Sequence, residues 1–211
     1  TYSEAEIPYH QRPEIDRWVL SRLNSLIKEV EKAYEEYEPT KAGRMIQDFV
    51  CDELSNWYVR LCRRRFWKGE YTEDKISAYQ TLYTCLEKVA ILSSPIAPFY
   101  MDQLFGDLND VTKKHPINSV HLAQFPKADE SQIDLDLEHK MDIAQRTSSL
   151  VLSLRKREKL KVRQPLQRIM IPALDKKFVD AVLAVKELIL SEFNVKELEL
   201  IVSNKIILSC A

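Results

Sequence analysis

Apolar residues recurring at i, i+3, i+4 and i+7 constrain this chain more than any other feature. The first series runs Val19, Leu20, Leu23, Leu26, Ile27, Val30, Tyr34 and Tyr37, with Arg22, Lys28, Glu29, Lys32, Glu35 and Glu36 on the other face. It predicts an amphipathic helix of about twenty residues. Pro13 opens it, and Glu14 and Asp16 supply an acidic first turn. A second helix is expected over residues 39–67, with Ile46, Phe49, Val50, Leu54, Trp57, Tyr58 and Leu61 inward. Lys68-Gly69-Glu70 breaks it. Thr72 caps a third helix whose stripe is Ile76, Tyr79, Leu82, Tyr83, Leu86, Val89 and Ala90. Ser93-Ser94-Pro95 starts a short fourth helix ending near Phe105, and residues 106–132 read as a loop. A fifth helix covers residues 133–159, with Leu137, Met141, Ala144, Ser148, Val151 and Leu154 inward.

The pattern then changes. Residues 168–171 read as a strand ended by Pro172, 175–190 as a helix, and 195–202 and 206–208 as strands. The expected fold is mainly α: a helical bundle over residues 1–160, then a small α/β subdomain over 161–211. Three glycines in 211 residues support long helices over a turn-rich β fold.

Several function classes drop out. Gly43, Gly69 and Gly106 lie too far apart for either glycine-rich phosphate cradle. Cys51, Cys62, Cys85 and Cys210 form no C-x-x-C pair and read as free core thiols of a reducing cytosol. The four histidines are scattered, so no metal site is expected. No serine has a nucleophile-elbow setting, and Asp134 and Asp136 sit in an acidic run as solvated helix-entry charge. No catalytic residue is assigned. The longest uncharged run has thirteen residues, 89–101, short of the ~18 that argue for a membrane span. The chain starts at Thr1 in polar, irregular sequence, which reads as a piece of a longer protein.

Net charge is −1, but charge is segregated. Residues 60–68 carry five positive charges and no acid, and residues 155–163 carry six against one. Such local fields decide what approaches a surface. On an ideal helical wheel Asn56, Arg60, Arg63, Arg64 and Trp67 share roughly a 100° arc, apart from the buried stripe. Guanidiniums pair with phosphates, an amide can read a base edge and an indole can stack on an unpaired base. The same cluster also complements a helix C-terminus, as a plain solvated face would. Lys68 extends the ridge; Lys161 and Arg163 form a second basic stretch that would widen the footprint. Arg65 falls on the buried stripe, where it must snorkel or meet a buried acid. Trp57 and Tyr58 sit at core spacing.

DRWVLSRLN (16–24) and FVCDELSNWYVRLCRRRFW (49–67) resemble the anticodon-binding domain of class I aminoacyl-tRNA synthetases, most of all the isoleucyl-tRNA synthetase family. SSPIAPFYMDQLF (93–105), SVHLAQFP (119–126), KLKVRQPL (159–166) and FNVKELELI (193–201) extend the likeness over nearly the whole chain. The resemblance implies a cytoplasmic parent that joins isoleucine to its tRNA with ATP and Mg²⁺ and edits mischarged valine. The two catalytic signatures of that family are missing here. This piece is therefore expected to bind the tRNA anticodon stem-loop, to hold no cofactor and to adjoin an upstream catalytic domain. Arg17 and Arg22 would extend the RNA surface or, preferably, anchor that domain. Two alternatives stay open: the equivalent domain of a valine or leucine enzyme, and a helical protein-interaction module without RNA.

Overall fold

The computed structural model describes residues 4–67, 70–173, 176–184, 186, 190 and 194–201. It is mainly helical, with a helical bundle and a small α/β part, as the periodicity predicts. Its contacts group into two compact units, residues 1–134 and 135–211. The boundary expected from sequence, between 160 and 161, falls at the end of a long helix that the contacts group with the second unit.

In the first unit α1 (Glu14–Glu35) is the central element. Trp18, Val19, Leu20, Leu23, Leu26, Ile27 and Val30 are buried on it, as the periodicity requires. Tyr37 is not: it lies beyond the helix end with φ 57°, 91% exposed. The polar residues of the same face are buried because they fasten a later loop. The backbone N–H of Asp129 donates to Asn24 Oδ1 at 2.8 Å, and that of Asp134 to Ser21 Oγ at 2.8 Å.

The single helix expected over 39–67 is three pieces: α2 (Pro39–Asp48), a π-helical segment (Phe49–Val59) and α3 (Arg63–Trp67). Packing against α1 gives a reason for the wider winding. Residues five apart diverge by about 140° on an α-helix but stack where hydrogen bonds run i→i+5. Phe49 and Leu54 are both buried. Glu53 and Tyr58 both reach α1, at Arg22 and Asp16.

Next comes α4 (Glu73–Ser93), whose first turn is closed by the backbone N–H of Lys75 donating to Thr72 Oγ1. Its buried face is Ser77, Ala78, Thr81, Cys85 and Val89. The expected stripe was shifted: Tyr79 is exposed and Tyr83 half-buried. Small side chains let the neighbouring helices approach, and the bulky tyrosines are left outside that contact. The segment before α1 lies on α4, where the Gln80 side chain accepts from Ile7 N–H (2.9 Å) and donates to the Ala5 carbonyl (2.8 Å). The fourth helix, α5 (Pro98–Thr112), runs past Phe105 through Gly106 to a left-handed residue, Lys113. Phe105 packs with Ala90, Ile91 and Val120.

In the second unit α6 spans Leu135–Arg157. Leu137, Met141, Ala144, Ser148 and Val151 are buried, but Leu154 is 50% exposed. Arg155 takes its place inside, donating from Nη1 to the carbonyls of Lys161 (2.9 Å) and Gln164 (3.1 Å). β1 (Leu166–Pro172) and β2 (Val195–Ile201) pair in parallel, Leu166 opposite Val195 and Ile171 opposite Leu200. A parallel pair needs a crossover, and α7 (Lys176–Ala184) lies within it. The strand expected at 206–208 and the last part of the helix expected over 175–190 lie largely outside the described residues.

Candidate nucleic-acid interface

The run from Asn56 to Trp67 alternates between two environments. Asn56, Arg60, Arg63, Arg64 and Trp67 are exposed. Trp57 and Tyr58 are buried, at 4% and 0% exposure, and so is Cys62. The five ridge residues therefore stand on the open side of one helical run, although the ideal 100° wheel does not hold between Phe49 and Val59.

Each side chain has its own setting. The guanidinium carbon of Arg60 lies 5.8 Å from the ring centroid of Trp57, within cation–π reach. No acid among the described residues pairs with Arg63 or Arg64. Trp67 is 79% exposed, a large apolar surface left to water at the end of a basic helix. Lys68 lies outside the described residues. Lys161 and Arg163 are exposed and belong to the second unit. Their carbonyls are occupied, by Arg155 and Asn194 respectively, while neither ammonium nor guanidinium meets an acid among the described residues.

Arg65 goes the other way. Its Nη1 and Nη2 donate to the two Asp16 oxygens at 2.6 and 2.8 Å, and its Nε donates to Asp74 Oδ2 at 3.0 Å. Asp16 is fully buried and also accepts from Ser77 Oγ (2.6 Å) and Tyr58 OH (2.9 Å). Charge-assisted two-pronged bonding of this kind offsets the cost of taking a carboxylate out of water. Burial, and then the nearby Asp16 charge, hold the Tyr58 hydroxyl well above the usual tyrosine range. Burial pushes the Cys62 thiol up to about 11, against the opposing bond from Arg65. This anchor ties α1, the π-helical segment, α3 and α4 together directly beneath the ridge.

The acidic first turn expected at Glu14 and Asp16 thus contains the acid that Arg65 needs, a partnership between distant residues that helix-start chemistry alone does not reveal. The signal was present: an arginine on an apolar stripe demands a carboxylate. Arg22 has an acid partner within the first unit: its Nε donates to both oxygens of Glu53 at 3.1 Å. Arg17 is half-buried, with no hydrogen bond to its Nε among the described residues. Cys51 is exposed and not a core thiol, whereas Cys62 and Cys85 are buried as expected; Cys210 lies outside the described residues.

Comparison with known proteins supplies the deciding observation. Residues 16–171 match the family model described as the anticodon-binding domain of tRNA ligase. The chain belongs to this family of anticodon-binding domains. It is 62% identical over 201 residues to an isoleucine–tRNA ligase of Cytophaga hutchinsonii and 59% identical over 200 residues to one of Bacteroides fragilis. Each match covers 95% of this chain and 18% of the relative. An isoleucine–tRNA ligase of Clostridium tetani is 44% identical over 157 residues, covering 74% of this chain and 15% of the relative. The chain thus spans less than a fifth of the length of the curated relatives it matches. Within the matched span lie the ridge, the Asp16 anchor, Lys161 and Arg163.

Among the described residues no helix is long and apolar enough to cross a membrane.

Proposed function

We propose that this anticodon-binding domain holds the anticodon stem-loop of a tRNA on the ridge of Asn56, Arg60, Arg63, Arg64 and Trp67. The observation that carries the reading is the pairing of two acid-free guanidiniums, Arg63 and Arg64, with an exposed indole on the same short helix. Arginines neutralise backbone phosphates and fix the register of the RNA. Trp67 then offers a stacking face to an unpaired base, and Asn56 an amide for a base edge. Lys68, Lys161 and Arg163 supply further phosphate contacts.

The identities to isoleucine–tRNA ligases support isoleucine as the amino acid of the parent enzyme, ahead of valine or leucine. In this reading the parent works in the cytoplasm and joins isoleucine to its tRNA. ATP and Mg²⁺ act at a catalytic domain outside this chain, and no residue here takes part in bond making. The anticodon domain acts at a distance: it fixes one end of a stiff tRNA so that the other end meets the catalytic site.

Fluorescence anisotropy with tRNA(Ile), tRNA(Val) and tRNA(Leu) transcripts over a salt series tests the proposal. The expected result is tightest binding to tRNA(Ile). Arg63→Ala and Arg64→Ala each lower the log–log salt slope by roughly 1. Unchanged slopes in both variants would remove the ridge from the interface. Equal binding of all three tRNAs would remove the isoleucine assignment.

A further inference from the structure

Tyr79 and Tyr83, expected in the core, instead line a groove of about 690 Å³ in the first unit. Tyr71 and Val111 add to its apolar lining, and Glu4, Glu6, Lys75 and Lys114 line it too, with the Lys114 ammonium 5.7 Å from the Tyr83 ring centroid. Tyr71 is 58% exposed. A soluble domain seldom leaves aromatic rings open side by side unless something covers them.

We propose that this groove receives one unpaired base of the RNA bound on the ridge, stacked against the tyrosines, and that it favours bases bearing an exocyclic amine. The inference rests on the functional reading above and adds a specificity site to it.

Continuity with the ridge argues for RNA as the occupant. The Tyr79 hydroxyl donates to the Phe66 carbonyl at 3.1 Å, and the two rings meet edge-on with centroids 5.4 Å apart. Phe66 is the chain neighbour of Trp67, so Tyr79 in the groove wall is fastened to the last turn of the basic helix. Its volume lies within the roughly 300–1,000 Å³ that small ligands occupy. Its apolar lining suits a base, since tyrosine faces stack on any base. Carboxylates accept hydrogen bonds from amines such as cytosine N4. Uracil has no amine to offer. The Glu6 side chain is 85% exposed and, among the described residues, pairs with Arg12 at 3.6 Å, so its oxygens can turn to a ligand. Lys75 remains available for the flanking phosphate.

The test uses the intact protein with tRNA(Ile) transcript, and with RNA hairpins of one stem whose loops are all A, all C or all U. Tyr79→Leu and the more exposed Tyr71→Leu should each weaken tRNA binding by roughly 5- to 150-fold. The salt slope should not change, since no phosphate contact is lost. Wild-type protein should bind A and C loops more tightly than U loops, and Glu4→Gln/Glu6→Gln should level that difference. Unchanged affinity in both tyrosine variants overturns the proposal. So does a fall in melting temperature with RNA binding intact, which would mark the tyrosines as packing residues. Equal wild-type binding of all three loops overturns the amine preference. The ridge is scored separately: if Arg63→Ala still lowers the slope while the tyrosine variants do nothing, the groove fails and the ridge stands. Loss of all RNA dependence fails both.

Discussion

Arg63 and Arg64 face water with no acid among the described residues, while Arg65, next in the chain, is locked to a fully buried Asp16. The three positions carry the same chemistry and serve opposite ends. Outside, an unpaired guanidinium keeps its charge available to a polyanion. Inside, the same group is consumed in holding four helical pieces together. Cationic residues in a basic run therefore cannot be counted as one surface; their partners must be identified one by one.

The contrast can be broken most severely from within. Asp16→Ala leaves Arg65 half-buried beside Asp74 alone and should cost about 3–5 kcal/mol, read by urea unfolding. Molecules still folded should keep the wild-type salt slope for RNA. Glu87 offers a second interior case. It is 1% exposed on α4 and is met by His115, by Lys114 Nζ at 3.1 Å and by Lys88 Nζ at 3.9 Å. Burial pushes its carboxyl up, but the His115 bond and the lysines outweigh that and hold it below the usual range. A depressed folded value means the stabilisation is present above the unfolded pKa and is lost as pH falls through the folded one. Stability should thus drop on acidification below about pH 5, and Glu87→Gln should flatten that part of the curve.

Outside, Trp67→Ala should lower RNA affinity by ~1–3 kcal/mol with a melting temperature within a degree or two of wild type. A collapsed melting temperature would move Trp67 to the interior class. The smallest effect separates thiols. Iodoacetamide at pH 8, read by peptide mass spectrometry, should label exposed Cys51 promptly and spare Cys62, which is buried and held near pKa 11. Equal labelling would show that the layer beneath the ridge opens readily.

Much of this division was legible in the residue order. The stripe of α1, the cap at Thr72 and the exposed positions of Arg60, Arg63 and Arg64 follow from periodicity and turn chemistry alone. What escaped was everything set by a distant partner. The widened winding over Phe49–Val59 depends on where Asp16 and Arg22 sit on another helix. The inward face of α4 is made of Ser77, Ala78 and Thr81, which a search for large apolar residues passes over. That search took Tyr79 and Tyr83 for core residues and so hid the groove. The charge of Asp16 was visible, but its burial was not, because a carboxylate near a helix start looks the same whether or not an arginine from residue 65 covers it.

Gln80 gives the bundle a mechanical property. Its amide grips the backbone at Ala5 and Ile7 as a neighbouring strand would. Tension on the chain ahead of Ala5 is consequently delivered to the middle of α4, beside Tyr79 and one turn from Ser77, before it reaches the first turn of α1. The side chain acts as a cleat, and the helix it moors to is the one that touches both the buried anchor and the tyrosine groove.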